Sequence, residues 1–174
     1  GVCSMDGTYA GTVGDIGVLS FYGNKFVTSA QGGMIISDNL TYLEKAQRLK
    51  NHGRANKGTF FHEDIGFNFC TSDLHSALGY SQLKRFDEIR ERKLEIFNRY
   101  ELNFRDNINV RLDRIISEKP AYWFISIFTA NAGSLEQFLL ANGVRTRRAF
   151  PPLSEQPCYE NFPAIRFGKD VGAK

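Results

Sequence analysis

The sequence predicts an α/β fold, because apolar strand segments are followed by amphipathic helices along its 174 residues. Segments 16–21 and 34–37 are apolar enough to be strands of a sheet that is covered on both faces. After Asn107 the predicted strands and helices become shorter, and the first strand segment is rich in aromatic residues. This change indicates a smaller α+β part. We therefore predict a boundary near residue 105, with domains over 1–105 and 106–174.

The first part carries clear helix signals after a glycine-containing, turn-rich start. Asp38 or Asn39 is placed to cap a helix that Gly53 ends. Ser72 is placed to cap a second helix, whose apolar spacing continues to about residue 100 with a bend near Asp87. These signals predict helices over about 40–50 and 73–100.

The second part alternates strand and helix signals. An aromatic and β-branched run over 122–128 follows Pro120 and predicts a strand. Ser134 is placed to cap a short helix that Gly143 ends, and 144–150 predicts another strand that stops at Pro151. The polar last residues and the missing initiator methionine lead us to expect a part of a longer protein.

The composition narrows the class of protein. Hydrophobic residues make up 42% and charged residues 24%, which is ordinary for a globular protein. The near balance of 22 basic and 19 acidic residues argues against nucleic acid as the main partner. No apolar run approaches the roughly 20 residues that span a bilayer, and no secretory signal is visible. Three widely spaced cysteines favour the cytoplasm, and three histidines without ligand spacing predict no metal site.

Lys25 stands out among the lysines because of its neighbours. It follows a predicted strand end and a hydroxyl at Ser20, and Gly32 and Gly33 come shortly after it. Pyridoxal phosphate needs an amine to form a Schiff base, a hydroxyl for its phosphate and space beside its ring. An arbitrary lysine at a strand end is usually a solvated surface residue, but this apolar, glycine-rich setting favours a cofactor lysine.

Several segments carry a family resemblance in the same order along the chain. They are residues 20–25, 50–54, 64–69, 72–83, 143–147 and 150–159. Together they resemble the DegT-type pyridoxal phosphate-dependent aminotransferases, and most closely the perosamine-synthase-like members. The resemblance implies a fold-type-I aminotransferase, of which this chain holds the C-terminal part of the large cofactor-binding domain and an incomplete small domain.

The resemblance also implies a reaction and a set of site residues. The enzyme moves an amino group from an amino acid, usually glutamate, to a keto group, at C4 here, of a nucleotide-linked deoxysugar. Lys25 is implied as the catalytic lysine that bonds the cofactor, Ser20 as a phosphate ligand, and Asn68 as a phosphate ligand from the partner subunit of a homodimer. Implied substrate contacts are Arg147, His52 and Asn24. Asn68 also fits a plain turn residue before the Ser72 cap.

Three positions depart from the family pattern, namely Gln31, Cys70 and Ser154. The aspartate that pairs with the cofactor's ring nitrogen lies upstream in the family. Neither Asp6 nor Asp15 is assigned to that role, and Asp15, which follows Gly14 at a strand entry, is expected to serve a turn or a cap. Two rivals remain open: a non-catalytic or regulatory relative of the same fold, and a sugar dehydratase, which carries histidine where this chain has Lys25. The glycine spacing fits neither a dinucleotide fingerprint nor a phosphate loop.

Overall fold

The computed structural model describes residues 3–54, 58 and 60–159. These residues fall into two compact units. The first contains the described residues up to Arg99 together with Ile115–Trp123, and the second contains Tyr100–Arg114 and the described residues from Phe124 onward. The boundary at residue 105 stays a prediction, but the return of Ile115–Trp123 to the first unit was not foreseen. Among the described helices, none is long and apolar enough to cross a membrane.

The first unit opens with a small hairpin of β1 (Ser4–Met5) and β2 (Thr8–Tyr9). Asp6 and Gly7 both have positive φ angles, 51° and 74°, as a tight two-residue turn requires. Ser4 is buried, and the Ser117 hydroxyl donates to its carbonyl at 2.6 Å. This bond ties the start of the chain to the returning segment Ile115–Trp123.

A second hairpin pairs β3 (Gly17–Ser20) with β4 (Gly33–Ile36) in antiparallel register, with Gly17 opposite Ile36 and Ser20 opposite Gly33. Both strands were predicted. The expected cover on both faces is wrong for the described residues, because Val18 is 72% exposed and Ile35 is 46% exposed. No third strand among the described residues pairs with these two.

Helix α1 (Leu40–Lys50) starts and ends as predicted. The Asn39 side chain accepts a hydrogen bond from the Thr41 amide at 3.0 Å and caps the helix. At the other end the Gly53 amide donates to the Arg48 carbonyl at 2.9 Å, with Gly53 at a φ of 75°. This left-handed glycine closes the helix, as is typical of a helix C-terminus.

Helices α2 (Asp73–Lys84) and α3 (Phe86–Phe104) follow one another with a break at Arg85, close to the predicted bend. Ser72 holds the cap position of α2, but its hydroxyl meets His75 Nδ1 at 2.7 Å instead of a backbone amide. Phe97 of α3 is only 4% exposed and stacks on Tyr122, with ring centroids 3.7 Å apart. Both residues of this pair belong to the buried core of the first unit.

The second unit contains the end of α3, the strands β5 (Arg111–Leu112) and β6 (Ile127–Phe128), and helix α4 (Ala132–Ala141). Two 3-10 turns follow, over Leu153–Glu155 and Pro157–Tyr159. The long strand predicted over 122–128 is wrong, since only its last two residues pair. The strand predicted over 144–150 is also wrong, because these residues form no ladder with the described chain.

The cap predicted for α4 is also corrected. Asn131, rather than Ser134, holds the cap position, and Ser134 lies inside the first turn of the helix. Gly143, with a φ of 79°, follows the helix end as predicted. Serine is tolerated inside the first turn of a helix as well as at its cap. The position of Ser134 therefore predicted the start of α4 only to within a few residues.

Candidate active site

The connection between β3 and β4 carries Lys25 and is held in shape by backbone bonds. The Phe21 amide donates to the Gly32 carbonyl, and the Ser29 amide donates to the Phe21 carbonyl, both at 2.9 Å. Phe26 is buried, 7% exposed, with its ring centroid 6.5 Å from that of Phe86. The loop is therefore anchored in the core by the residue that directly follows Lys25.

Lys25 itself is half-buried, at a turn in which its amide donates to the Tyr22 carbonyl at 3.0 Å. Its Nζ atom lies 3.3 Å from the centroid of the Trp123 ring. Within the described part of the chain, Lys25 forms no ion pair with a carboxylate. The aromatic face is therefore the partner of this ammonium group in the first unit.

Ser20 and Asn24 lie on the same hairpin as Lys25, and both are exposed. The Ser20 hydroxyl oxygen accepts a long hydrogen bond, 3.4 Å, from the Tyr22 amide. The Asn24 carbonyl accepts from Trp123 Nε1 at 2.8 Å, while its side chain faces solvent. Three of the six predicted site residues thus share one short segment of chain.

His52 and Asn68 form a second group, after α1. The His52 amide donates to the Phe67 carbonyl at 2.9 Å, and Asn68 pairs with Asn51 as an isolated antiparallel bridge. His52 has a φ of 60°, and its carbonyl oxygen accepts a hydrogen bond from His62 Nδ1 at 2.6 Å. The side chains of His52 and Asn68 are both exposed and make no hydrogen bond with the described residues.

Gly53 and Gly66 allow this second group to fold closely. A Cβ atom on Gly53 would collide with the Asp64 carbonyl oxygen, and one on Gly66 would collide with the Gly53 amide nitrogen. The Gly53 carbonyl also accepts from the Glu63 and Asp64 amides at 3.0 and 3.2 Å. The turn after α1 therefore needs glycine at both positions, Gly53 and Gly66, where its two segments approach each other.

Charge pairing holds the same turn against α1. Lys45 Nζ lies 2.5 Å from Asp64 Oδ1, and Arg48 Nε lies 3.6 Å from Asp64 Oδ2. The hydrogen bond from Lys45, together with the positive charges of Lys45 and Arg48, holds the pKa of the Asp64 carboxyl below its usual value of 3.8. Asp64 is consequently ionised at neutral pH and serves to clamp the loop.

Arg147 lies in the second unit and is exposed, in the segment that forms no strand. Its neighbour Arg148 pairs with Glu136 at 3.2 Å, so only one of these two guanidinium groups is engaged in an ion pair with a described residue.

Two of the positions that depart from the family pattern make local contacts. The Cys70 thiol contacts the Lys50 carbonyl at 3.5 Å, and the Gln31 carbonyl accepts a hydrogen bond from the Ser29 hydroxyl at 2.6 Å.

The donor set on the Lys25 hairpin fits pyridoxal phosphate. Lys25 offers a primary amine that no carboxylate of the described residues holds. The O–H of Ser20 donates to no described residue, so it is available to a phosphate oxygen. A Cβ on Gly23 would meet nothing closer than the Ala30 carbonyl at 3.9 Å, so the loop backbone two residues before Lys25 is open. Asp6 lies in the turn between β1 and β2 and Asp15 in a bend before β3, and both are exposed.

Trp123 is the site residue that the sequence analysis missed. Its aromatic run predicted a strand, whereas in the structure its indole faces the Lys25 hairpin from 99 residues beyond Asn24. The usable signal was its identity as the single tryptophan of the sequence, next to the proline-led segment. No local pattern, however, pairs two residues so far apart in the chain.

Comparisons with known proteins identify the family. Residues 2–166 match the DegT/DnrJ/EryC1/StrS aminotransferase family. GDP-perosamine synthase of Escherichia coli O157:H7 is 31% identical over 170 residues, covering 95% of this chain and 46% of that protein. The dTDP-4-dehydro-2,3,6-trideoxy-D-glucose 4-aminotransferase of Saccharopolyspora spinosa is 29% identical, covering 90% of this chain and 45% of that protein. The chain thus spans about half the length of the curated relatives it matches.

Solved structures agree on the fold. The aminotransferase TlmJ of Streptoalloteichus hindustanus superposes with a TM-score of 0.81 at 26% identity, covering 88% of this chain and 43% of that one. The E. coli GDP-4-keto-6-deoxy-D-mannose-3-dehydratase, solved with bound hydrated PLP, has a TM-score of 0.73 at 18% identity, covering 84% and 43%. The second likeness supports the fold alone. With a family match over nearly its whole length and the fold-type-I structure of these neighbours, the chain belongs to the DegT/DnrJ/EryC1/StrS aminotransferase family.

Proposed function

We propose that this chain forms part of a pyridoxal phosphate-dependent aminotransferase that acts on a nucleotide-linked keto sugar. Lys25 carries the proposal, because its amine stands on a core-anchored hairpin that also carries the available Ser20 hydroxyl, and it has no carboxylate partner among the described residues. Amination at C4 of a deoxysugar is favoured, since a similar protein is named as a 4-aminotransferase. Glutamate is the proposed amino donor, and the cytoplasm is the proposed location.

Pyridoxal phosphate, once bonded to a lysine amine, supplies an electron sink for charge that develops on the donor's α-carbon. The chain's own residues do the rest. Lys25 Nζ would hold the cofactor and, when it is free, would move a proton from the donor's α-carbon to the cofactor carbon that receives the amino group. The Ser20 O–H would donate to a phosphate oxygen and so help to hold the cofactor on the hairpin that carries Lys25.

Asn68 is proposed to complete the phosphate site from the partner subunit of a homodimer. Its exposed amide has no hydrogen-bond partner among the described residues, while its backbone is fixed by the bridge to Asn51. A rigid backbone that presents a free amide suits binding to a group outside its own unit. In a two-fold dimer each subunit would then lend Asn68 to the other's cofactor.

Three further residues are proposed to contact the nucleotide sugar. Arg147 offers an exposed guanidinium, which suits bidentate binding of a diphosphate. Asn24 and His52 offer exposed polar side chains on the two segments that also carry Lys25 and Asn68. Such side chains donate and accept the hydrogen bonds that distinguish one sugar hydroxyl pattern from another.

The test is to load the complete gene product with pyridoxal phosphate, reduce it with borohydride and map the modified peptide. The expected result is a cofactor fixed to Lys25. Lys50→Ala, which removes another lysine at the end of α1, is the matched control and should label normally. Lys25→Ala should lose transamination even where cofactor still binds. Label on another lysine would end the assignment of Lys25, and labelled but inactive protein would favour a non-catalytic relative.

A further inference from the structure

Lys25 and Trp123 are in direct contact although they are far apart in the sequence. The ammonium lies 3.3 Å from the ring centroid, a distance at which the negative face of an indole attracts a cation. Lys25 has no carboxylate partner among the described residues that would compete for it. The position of this side chain in the first unit is therefore set by the aromatic face.

Trp123 is itself fixed independently of Lys25. Its carbonyl accepts a hydrogen bond from Lys93 Nζ at 2.9 Å, and its indole N–H donates to the Asn24 carbonyl at 2.8 Å. The preceding residues Ala121 and Tyr122 are each only 6% exposed. These contacts do not involve the Lys25 side chain, so we expect the ring to keep its place next to the loop when Lys25 leaves it.

From this geometry we propose that Trp123 is a positioning residue that receives the Lys25 side chain when Lys25 is protonated and not bonded to the cofactor. The proposal rests on the role of Lys25 given above. The indole makes and breaks no covalent bond. It holds the released ammonium next to the backbone of the loop that carries Lys25 and opposes its departure into solvent.

A consequence follows for the reactivity of Lys25 in the cofactor-free protein. The amine meets an aldehyde only after it leaves the ring and gives up a proton, so a weaker ring contact should speed this reaction. Losing the whole contact should raise the rate by about 2- to 30-fold, the range that corresponds to a cation–π interaction. Lys50, which is not part of this contact, should react at an unchanged rate and serves as an internal reference.

The decisive experiment weakens the ring's attraction without changing its shape. The complete gene product is prepared with tryptophan, 5-fluorotryptophan or 5,7-difluorotryptophan, and Lys25 is labelled with formaldehyde and borohydride in the absence of cofactor. Fluorine withdraws electron density from the ring face but leaves the N–H bond to Asn24 in place. The expected result is a stepwise rise in the Lys25 labelling rate, normalised to Lys50. Equal rates for all three proteins would overturn the proposal.

Two substitutions separate the ring face from the indole N–H. Trp123→Phe keeps an aromatic face but loses the donor to Asn24, and Trp123→Leu loses both. If the ring face holds Lys25, the Phe variant should label at a rate between those of the natural protein and the Leu variant. If only the N–H matters, the two variants should behave alike, and the proposal fails.

The outcomes also separate this proposal from the proposed function. Labelling that depends on fluorine, combined with cofactor capture by another lysine, would retain the Lys25–Trp123 contact and reject the role of Lys25. Cofactor capture by Lys25, combined with labelling that does not depend on fluorine, would retain the role of Lys25 and reject Trp123 as its positioning residue.

Discussion

Gly53→Ala should destabilise the turn that presents His52 and Asn68. At a φ of 75° alanine already costs about 1–2 kcal/mol, because its Cβ crowds the backbone in the left-handed region. The new Cβ would also collide with the Asp64 carbonyl, which cannot recede freely because the Glu63 and Asp64 amides are bonded to Gly53. Loss of those two bonds adds roughly 1 kcal/mol each, so the expected total is about 3–4 kcal/mol.

Gly143→Ala is the matched control. Gly143 has a similar φ of 79°, but an added Cβ would meet no atom within 4 Å. Its substitution should therefore cost only the backbone term of about 1–2 kcal/mol. The difference between the two variants isolates the collision with Asp64.

Amide hydrogen exchange on the complete gene product is the suitable assay, because it detects opening of the turn even when the remaining structure stays folded. In Gly53→Ala the amides of Glu63, Asp64 and Phe67, all hydrogen-bonded here, should exchange much faster. In Gly143→Ala their exchange should not change. Equal exchange in both variants would show that the close approach of Gly53 to Asp64 is not a constraint, and the reasoning would be refuted.

Two further predictions concern the site and its clamp. Mixed dimers of Lys25→Ala and Asn68→Ala chains should recover about a quarter of the wild-type activity, since random pairing gives half mixed dimers with one intact site each; no recovery in verified mixed dimers would place Asn68 in its own subunit's site. Asp64→Asn should lower the unfolding temperature at neutral pH, because the lowered pKa of Asp64 stabilises the fold above about pH 3.8 and this contribution is lost as the pH falls through the folded-state value. Once the pH is low enough to protonate Asp64 in the folded protein, the Asn variant and the natural protein should match, as should Lys45→Met; a difference that persists under these conditions would exclude the ion pair as the cause.

Local signals in the sequence predicted the elements that local chemistry decides. The Asn39 cap and the Gly53 stop fixed α1, and the β3–β4 hairpin with Lys25 followed from apolar strands and glycines. The failures concern long-range packing. The run over 122–128 has high strand propensity, but Tyr122 instead stacks on Phe97 and Trp123 covers Lys25.

The candidate site follows the same rule: the sequence predicted the residues that are close together in the chain and missed a contact between distant segments. Ser20, Asn24 and Lys25 share the hairpin because they are close in sequence, and His52 and Asn68 come together because two glycines allow a tight turn. Trp123 reaches the Lys25 hairpin through contacts such as that with Asn24, which is 99 residues earlier in the chain. Local sequence spacing cannot predict a contact over that separation. Arg147 belongs to the second unit, and its role stays a prediction.

The relative size of two interactions explains how Trp123 can hold Lys25 and still release it. Burying an aromatic side chain such as Tyr122 removes roughly 150–250 Å² from water, worth at most about 4–6 kcal/mol. The cation–π contact contributes only about 0.5–2 kcal/mol. The segment Ile115–Trp123 is therefore held by the stack of Tyr122 on Phe97, together with hydrogen bonds such as that from Ser117 to Ser4, and not by Lys25. Breaking the weaker contact frees the amine without displacing the ring, which is what a lysine that alternates between a bonded and a released state requires.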